Sequence, residues 1–187
     1  MNCKDANPKV PLDGGLGAAG LPGATPPGAG QQATPIAPAP AAPALEPRPN
    51  PLAHLPLPFQ AVDYSLKGYH VEATVEPDQV VLAAQLMDGE GFSLDTITGV
   101  DWLGQGQMEV VYDYFHPRRG LRVMVRARIR RENPEIPTIS EVFPGASWHE
   151  REAHDFFGIR FLGHPDLSPF LLPEDADYHP LRKDFAA

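Results

Sequence analysis

A single cysteine, Cys3, stands in 187 residues, which excludes an intrachain disulfide and any iron–sulfur or structural zinc site built wholly from cysteine. No apolar run reaches the roughly eighteen residues needed to span a bilayer. The N-terminus lacks the apolar core of a signal peptide, because Gly14 to Leu21 is too short and too rich in glycine. Nor is it arginine-rich and acid-poor, as a transit peptide would be. A reduced, cytosolic compartment is the expectation. Positive charge is scarce as well: 15 Lys and Arg against 24 Asp and Glu give a net charge of −9. That balance argues against nucleic acid or an anionic membrane surface as the main partner.

Proline is plentiful but unevenly placed. Of 23 prolines, 14 precede Phe59. Residues 1–57 are Ala/Pro/Gly-rich and bury too little apolar surface to offset the entropy of ordering, so a disordered extension of polyproline-II character is expected, serving as a tether or accessory segment. The roughly 130 residues that remain suffice for one core. They divide into an expected domain over 58–162 and an arm over 163–187.

Within the domain, Val71, Ala73 and Val75 alternate with polar residues as a short strand, and Pro77 opens a helix running to about Asp88 with Val80, Ala83, Ala84 and Met87 on one face. Three further alternating runs follow. Phe92, Leu94, Thr96, Thr98, Val100 and Trp102 mark one face of the first, and Met108, Val110, Tyr112 and Tyr114 mark the second. Leu121, Val123, Val125, Ala127 and Ile129 face inward in the third. Its other face carries Arg122, Met124, Arg126, Arg128 and Arg130, which reads either as a solvated face or as a docking strip for an acidic neighbour. Short turns between the runs predict an antiparallel β-meander with helices on one face, an α+β fold. Thr138 to Glu141 adds a capping-box pattern for one short helical turn.

Ser147 with Glu150 reads as a second capping box, opening a helix at Trp148 that Gly158 closes with a positive φ. At 100° per residue, Trp148 shares its stripe with Arg151, Glu152, Asp155 and Phe156. Burying three ionisable groups demands mutual pairing or partner groups, so the helix reads as the seat of a fixed polar network. A solvated helix with Trp148 half exposed is the alternative. After Gly163, Pro165, Pro169, Pro173 and Pro180 forbid a continuous helix or central strand, yet Leu167, Phe170, Leu171, Leu172, Tyr178, Leu181 and Phe185 are too apolar for a free tail. An extended arm lying along another surface is expected, a partner's in preference to its own sheet, and largely unnecessary to the domain's own fold.

Bond chemistry finds little support. His149 and His154 are five apart, about 140° on the helix, and cannot share a metal on one face. Glu150 and His154 suit one hydrogen-bonded pair. His164 and His179 each precede proline, which suits extended-chain packing. Ser140, Ser147 and Ser168 lack a nucleophile-elbow pattern, and no glycine-rich phosphate loop follows a strand. A free-standing hydrolase using His149, His154 and Glu150 is the reading from a different class.

Glu150-Arg151-Glu152, Asp155-Phe156-Phe157-Gly158-Ile159, Phe161 and Gly163-His164-Pro165-Asp166-Leu167 resemble the signature of the 30 kDa subunit family of NADH-quinone oxidoreductase (respiratory complex I). His179-Pro180-Leu181-Arg182-Lys183-Asp184-Phe185 is similar to that family's C-terminal motif. The resemblance spans roughly Tyr69 to Phe185. Phe156 stands where the family often has methionine, and Ser168-Pro169-Phe170 where it has a basic pair and an aliphatic residue. The resemblance implies a non-catalytic subunit of the peripheral arm, on the cytoplasmic side of the cell membrane. Its partners would be the large hydrogenase-like subunit, which lies beside the quinone pocket, and the adjoining cluster-bearing subunit. NADH, FMN, Fe–S clusters and quinone would serve the complex, none of them bound by this chain. It also implies that Glu150, Arg151, Glu152 and Asp155 form the buried polar network, and that Gly163 to Leu167 and His179 to Phe185 are docking segments. Related subunits occur in membrane-bound nickel–iron hydrogenases and formate-coupled complexes, which leaves that kind of assembly as the alternative.

Overall fold

Regular alternation between residues 93 and 130 produces three ten-residue strands, the centre of the computed structural model, which describes residues 49–186. The expectation for residues 1–48 lies outside the described residues. In chain order the elements are β1 (Gln60–Ala61), α1 (Tyr64–Lys67), β2 (Val71–Val75), α2 (Val80–Gly89), β3 (Ser93–Trp102), β4 (Gln107–His116), β5 (Leu121–Arg130), β6 (Glu135–Pro137), α3 (Ala146–Phe157) and β7 (Arg160–Leu162). The five-stranded sheet has the order β1-β2-β5-β4-β3. β3, β4 and β5 form the antiparallel meander that the sequence predicts. β2 pairs with β5 in parallel and carries β1 antiparallel on its far edge. The fold is α+β.

Val123, Val125 and Ala127 of β5, Val110 and Tyr112 of β4, and Val80, Ala83, Ala84 and Met87 of α2 share one buried core. A small parallel pair, β6 with β7, adds Ile136 and Phe161 to it. β3 departs from a single alternation. Its register shifts between Leu94 and Thr96, so Ile97, Gly99 and Asp101 are buried while Trp102 is exposed. A bulge inserts one residue and swings everything beyond it to the opposite face.

Most of the arginine stripe is engaged within the sheet itself, neither simply solvated nor reserved for a neighbour. Arg122 Nε lies 3.3 Å from Asp113, and Glu109 is met by Arg126 at 3.5 Å and Arg128 at 3.6 Å. Arg128 also lies over the Trp102 ring. Glu109 and Asp113 are buried on the outer face of β4, and burial pushes the Asp113 carboxyl above its ordinary value.

Residues 49–57, read from composition as part of the extension, belong to the folded unit. Leu52 is 0 % exposed, and Leu57 and Phe59 are buried beside it. Asn50 fixes the segment: its side-chain N–H donates to Phe59 O at 2.7 Å and its Oδ1 accepts from Leu52 N at 3.0 Å. Leu52→Ala should therefore cost about 2–3 kcal/mol, read as a lower urea midpoint at unchanged slope. A change of only a few tenths of a kcal/mol would place the segment outside the core.

Candidate functional site: a helix clasped by the C-terminal arm

α3 begins two residues earlier than the capping-box pattern suggests. Its N-cap is Gly145 and no side chain caps it. Ser147 Oγ instead lies 3.1 Å from His164 Nε2, and Glu150 points into the protein, 0 % exposed. One Glu150 oxygen accepts from Ile139 N at 2.9 Å, and the other lies 2.5 Å from the Thr138 hydroxyl and 3.8 Å from His164 Nε2. Burial pushes this carboxyl up to about 7 despite those two hydrogen bonds. The short helix read at Thr138–Glu141 is a turn, in which Thr138 Oγ1 accepts from Ser140 N.

The buried face of α3 is Ala146, Glu150, Ala153 and Asp155. The single network expected of Glu150, Arg151, Glu152 and Asp155 is thus two networks and a bystander. Glu150 faces the core, Arg151 and Asp155 lie under the arm, and Glu152 is exposed. Charged residues sit on the tryptophan stripe because a second layer of chain covers part of that stripe, not because the stripe enters the core.

The arm is held chiefly by hydrogen bonds that involve backbone. Asp155 Oδ2 accepts from Phe170 N at 2.9 Å, Leu171 N at 2.6 Å and Leu172 N at 3.1 Å. Burial pushes Asp155 upward, but the three N–H groups prevail and hold it below the usual carboxylate range. This anchor is fully present above the ordinary carboxylate value and is lost as pH falls through the depressed one. Arg151 donates to Ser168 O at 3.1 Å and to Pro169 O at 3.0 Å, with its guanidinium 5.4 Å from the Trp148 ring and 5.1 Å from the Phe170 ring, which pack against each other.

Farther along, the arm closes over the C-terminal end of α3, where helix carbonyls lack partners within the helix. His179 Nδ1 donates to Asp155 O at 2.8 Å, Leu181 N to Phe156 O at 3.1 Å and Arg182 Nε to Phe157 O at 2.7 Å. Lys183 N then reaches Asp101 at 2.8 Å, which Arg131 also holds, and Arg131 binds Asp184. The Arg131 guanidinium keeps Asp101 below the usual range. Gly158 is indispensable to the closure. It ends the helix at φ 73°, and a Cβ there would lie 2.5 Å from atoms of both His179 and Arg182. Gly99 performs the same service on the other side, since a Cβ would meet the Phe157 ring at 2.6 Å.

The Gly163–Leu167 stretch is a surface turn that plugs the His164 side chain into the protein. Gly163 turns at φ 84°. His164 Nδ1 accepts from Asp166 N at 3.0 Å, which puts the ring proton on Nε2, facing Ser147 and Glu150. Asp166 Oδ1 accepts from Ser168 N, and Leu167 packs on the core. Pro165 supplies the fixed φ between them. Ser147, His164 and Glu150 superficially make up a catalytic triad, but both partners crowd Nε2 while Nδ1 is taken by a backbone N–H. A triad needs the carboxylate on one ring nitrogen and the serine on the other.

The expected Glu150–His154 pair does not form, because His154 Nδ1 bonds Ile159 O at 2.9 Å. Among the described residues no group of three or more His, Cys, Asp or Glu is placed to hold a metal ion.

The arm therefore lies on its own helix, where a partner's surface was expected in preference to its own sheet. Its side chains face outward: Leu171 and Leu181 are 51 % exposed, Tyr178 41 %, Phe170 40 % and Phe185 39 %. Sequence reasoning missed Thr138, Ile139 N, Asp101 and Arg131 as holders of the site. Asp101 gave one usable signal, a carboxylate in an otherwise apolar stretch of strand.

Fold and site together define a small α+β module with a clasped C-terminal arm. Residues 73–187 match the model of the respiratory-chain NADH dehydrogenase 30 kDa subunit, and the chain belongs to that family. It is similar to the corresponding NADH-quinone oxidoreductase subunit of Roseiflexus castenholzii, 39 % identical over 115 residues, covering 59 % of this chain and 66 % of that one. The same subunit of Moorella thermoacetica is 38 % identical over 122 residues, covering 64 % and 82 %. In Rhodopseudomonas palustris it is 40 % identical over 134 residues, covering 69 % and 65 %. The chain thus spans slightly under two thirds of the length of the Roseiflexus and Rhodopseudomonas relatives. Among solved structures, a chain of the membrane-bound sulfane sulfur reductase, an archaeal respiratory membrane complex, superposes with a TM-score of 0.64 at 28 % identity, covering 72 % of this chain and 81 % of that one. No helix among the described residues is long and apolar enough to cross a membrane.

Proposed function

We propose that the chain is a structural subunit of the peripheral arm of a proton-translocating NADH-quinone oxidoreductase. It docks through its clasped arm onto the large hydrogenase-like subunit and the adjoining cluster-bearing subunit, on the cytoplasmic side of the membrane. It binds none of the NADH, FMN, Fe–S clusters or quinone that the whole complex uses. Family membership supports the assembly, and the arm's geometry supports the docking. The observation that carries the reading is the row of half-exposed apolar side chains on a segment whose backbone is already fixed. Full burial of four such side chains is worth roughly 6–12 kcal/mol of gross transfer energy, and about half of that remains available here. Because α3 has ordered the segment beforehand, docking forfeits little further chain entropy.

Membranes from a strain lacking the chain should lose NADH-dependent quinone reduction, with full restoration by the intact gene. Undiminished activity would overturn the proposal. The likeness to the sulfane sulfur reductase chain favours one second reading, the same role in a related membrane complex with another donor or acceptor. In that case the deletion would abolish a hydrogen- or sulfur-linked activity and spare NADH oxidation.

A further inference from the structure

We propose that Glu150 is a buried proton-binding site whose occupancy sets how tightly the 138–140 turn and the Gly163–Leu167 plug are held on α3. The inference rests on the geometry around this carboxyl and is independent of which complex the chain serves. Two carboxylate oxygens can accept about four hydrogen bonds, and an ionised carboxylate taken out of water needs most of them. Glu150, 0 % exposed, has one backbone donor and one hydroxyl. From β4, the buried Tyr112 and Tyr114 face it, and the Tyr112 hydroxyl has no hydrogen-bond partner among the described residues. From the segment after β7 comes His164, whose Nε2 stands 3.8 Å away. The 138–140 turn contributes no charged group, and among the described residues neither lysine nor arginine pairs with the carboxyl. The site is better furnished for a neutral acid than for an anion.

The turn also holds the means to respond. Thr138 Oγ1 lies 2.5 Å from Glu150 Oε2 and 2.8 Å from Ser140 Oγ, and one hydroxyl proton cannot serve both. When Glu150 is protonated, its O–H donates to Thr138, and Thr138 donates to Ser140. When Glu150 is ionised, Thr138 must donate to Glu150, the Ser140 bond reverses, and the His164 N–H is drawn from Ser147 toward the carboxylate. The two elements that respond are the turn and the plug that begins the arm. Raised from 4.5 to about 7, Glu150 keeps its stabilising influence fully below its ordinary value and loses it as pH rises through that window.

Infrared titration of the purified full chain with carbon-13 glutamate is the direct test. A protonated-carboxyl band should be present at pH 6, vanish by about pH 8.5 with a midpoint of about 7, and be missing throughout in Glu150→Gln. Hydrogen-exchange protection of Ile139 and of the 163–167 amides, corrected for intrinsic rates, should fall about tenfold between pH 6 and 8 and stay level in the variant. His164→Gln should keep the band. A midpoint near the ordinary glutamate value, protection independent of pH in the wild type, or loss of the transition in His164→Gln alone would overturn the proposal. Should Glu150→Gln fail to fold, the labelled band in the wild type and in His164→Gln still decides.

Discussion

Gly158→Val is expected to lower the stability of the chain by about 3–5 kcal/mol and to free the end of the arm. An L-residue at φ 73° costs about 1–2 kcal/mol, more when β-branched. The new side chain would also occupy the space of His179 and Arg182, whose bonds to Asp155 O and Phe157 O are worth roughly 1 kcal/mol each. Displacing them uncovers the last carbonyls of α3. Gly89→Ala is the control: that glycine has no neighbour within 4 Å and no positive φ, so the change should be neutral or slightly stabilising. Urea unfolding gives the energy, and limited proteolysis within 178–186 reports the arm. A loss below about 1 kcal/mol with the arm still protected would show that the clasp does not depend on Gly158.

Serine at Leu171, Tyr178 and Leu181 together should do the reverse, sparing the fold and weakening docking. The backbone of Leu171 and Leu181 makes the clasp, through bonds to Asp155 and Phe156 O, and serine keeps both N–H groups. Their side chains are half exposed, so the domain loses little, and thermal unfolding should move by only a few degrees. The remaining half of each side chain is what a partner would cover. Losing it removes about 3 kcal/mol of transfer energy, on the order of a hundredfold in association.

Strands were legible from sequence because a half-buried strand must alternate: β5 does so, and β4 keeps Met108, Val110, Tyr112 and Tyr114 on one face although it is buried on both. The bulge at Asp95 was not, since nothing in Leu94-Asp95-Thr96 announces an extra residue, and every inward assignment beyond it inverted. Leu52 was masked by the prolines around it: composition averages over a window, while burial is decided one side chain at a time. On α3 the periodicity was sound and the interpretation of its faces was not. The core-facing side is narrow, made of Ala146, Glu150 and Ala153, so the larger Trp148 stripe drew attention. The Ser147–Glu150 spacing fits a capping box equally well when the helix starts earlier and both side chains are used elsewhere. That the C-terminal motif would bind the helix's own carbonyls could not be read at all, because backbone acceptors leave no trace in side-chain identity. Gly158 is the residue where the two motifs meet, and its small size was the one visible hint.

Co-isolation from membranes tests the central claim most directly. The chain carries a tag at its N-terminus, and the wild type is compared with the Leu171, Tyr178 and Leu181 serine variant in the organism that encodes it. The wild type should bring down the large hydrogenase-like subunit and the cluster-bearing subunit in equal amounts, while the variant, with nearly unchanged thermal midpoint, should bring down neither. Equal recovery of both partners by the variant would contradict the account, for the outward face of the clasped arm would then not be where this subunit docks.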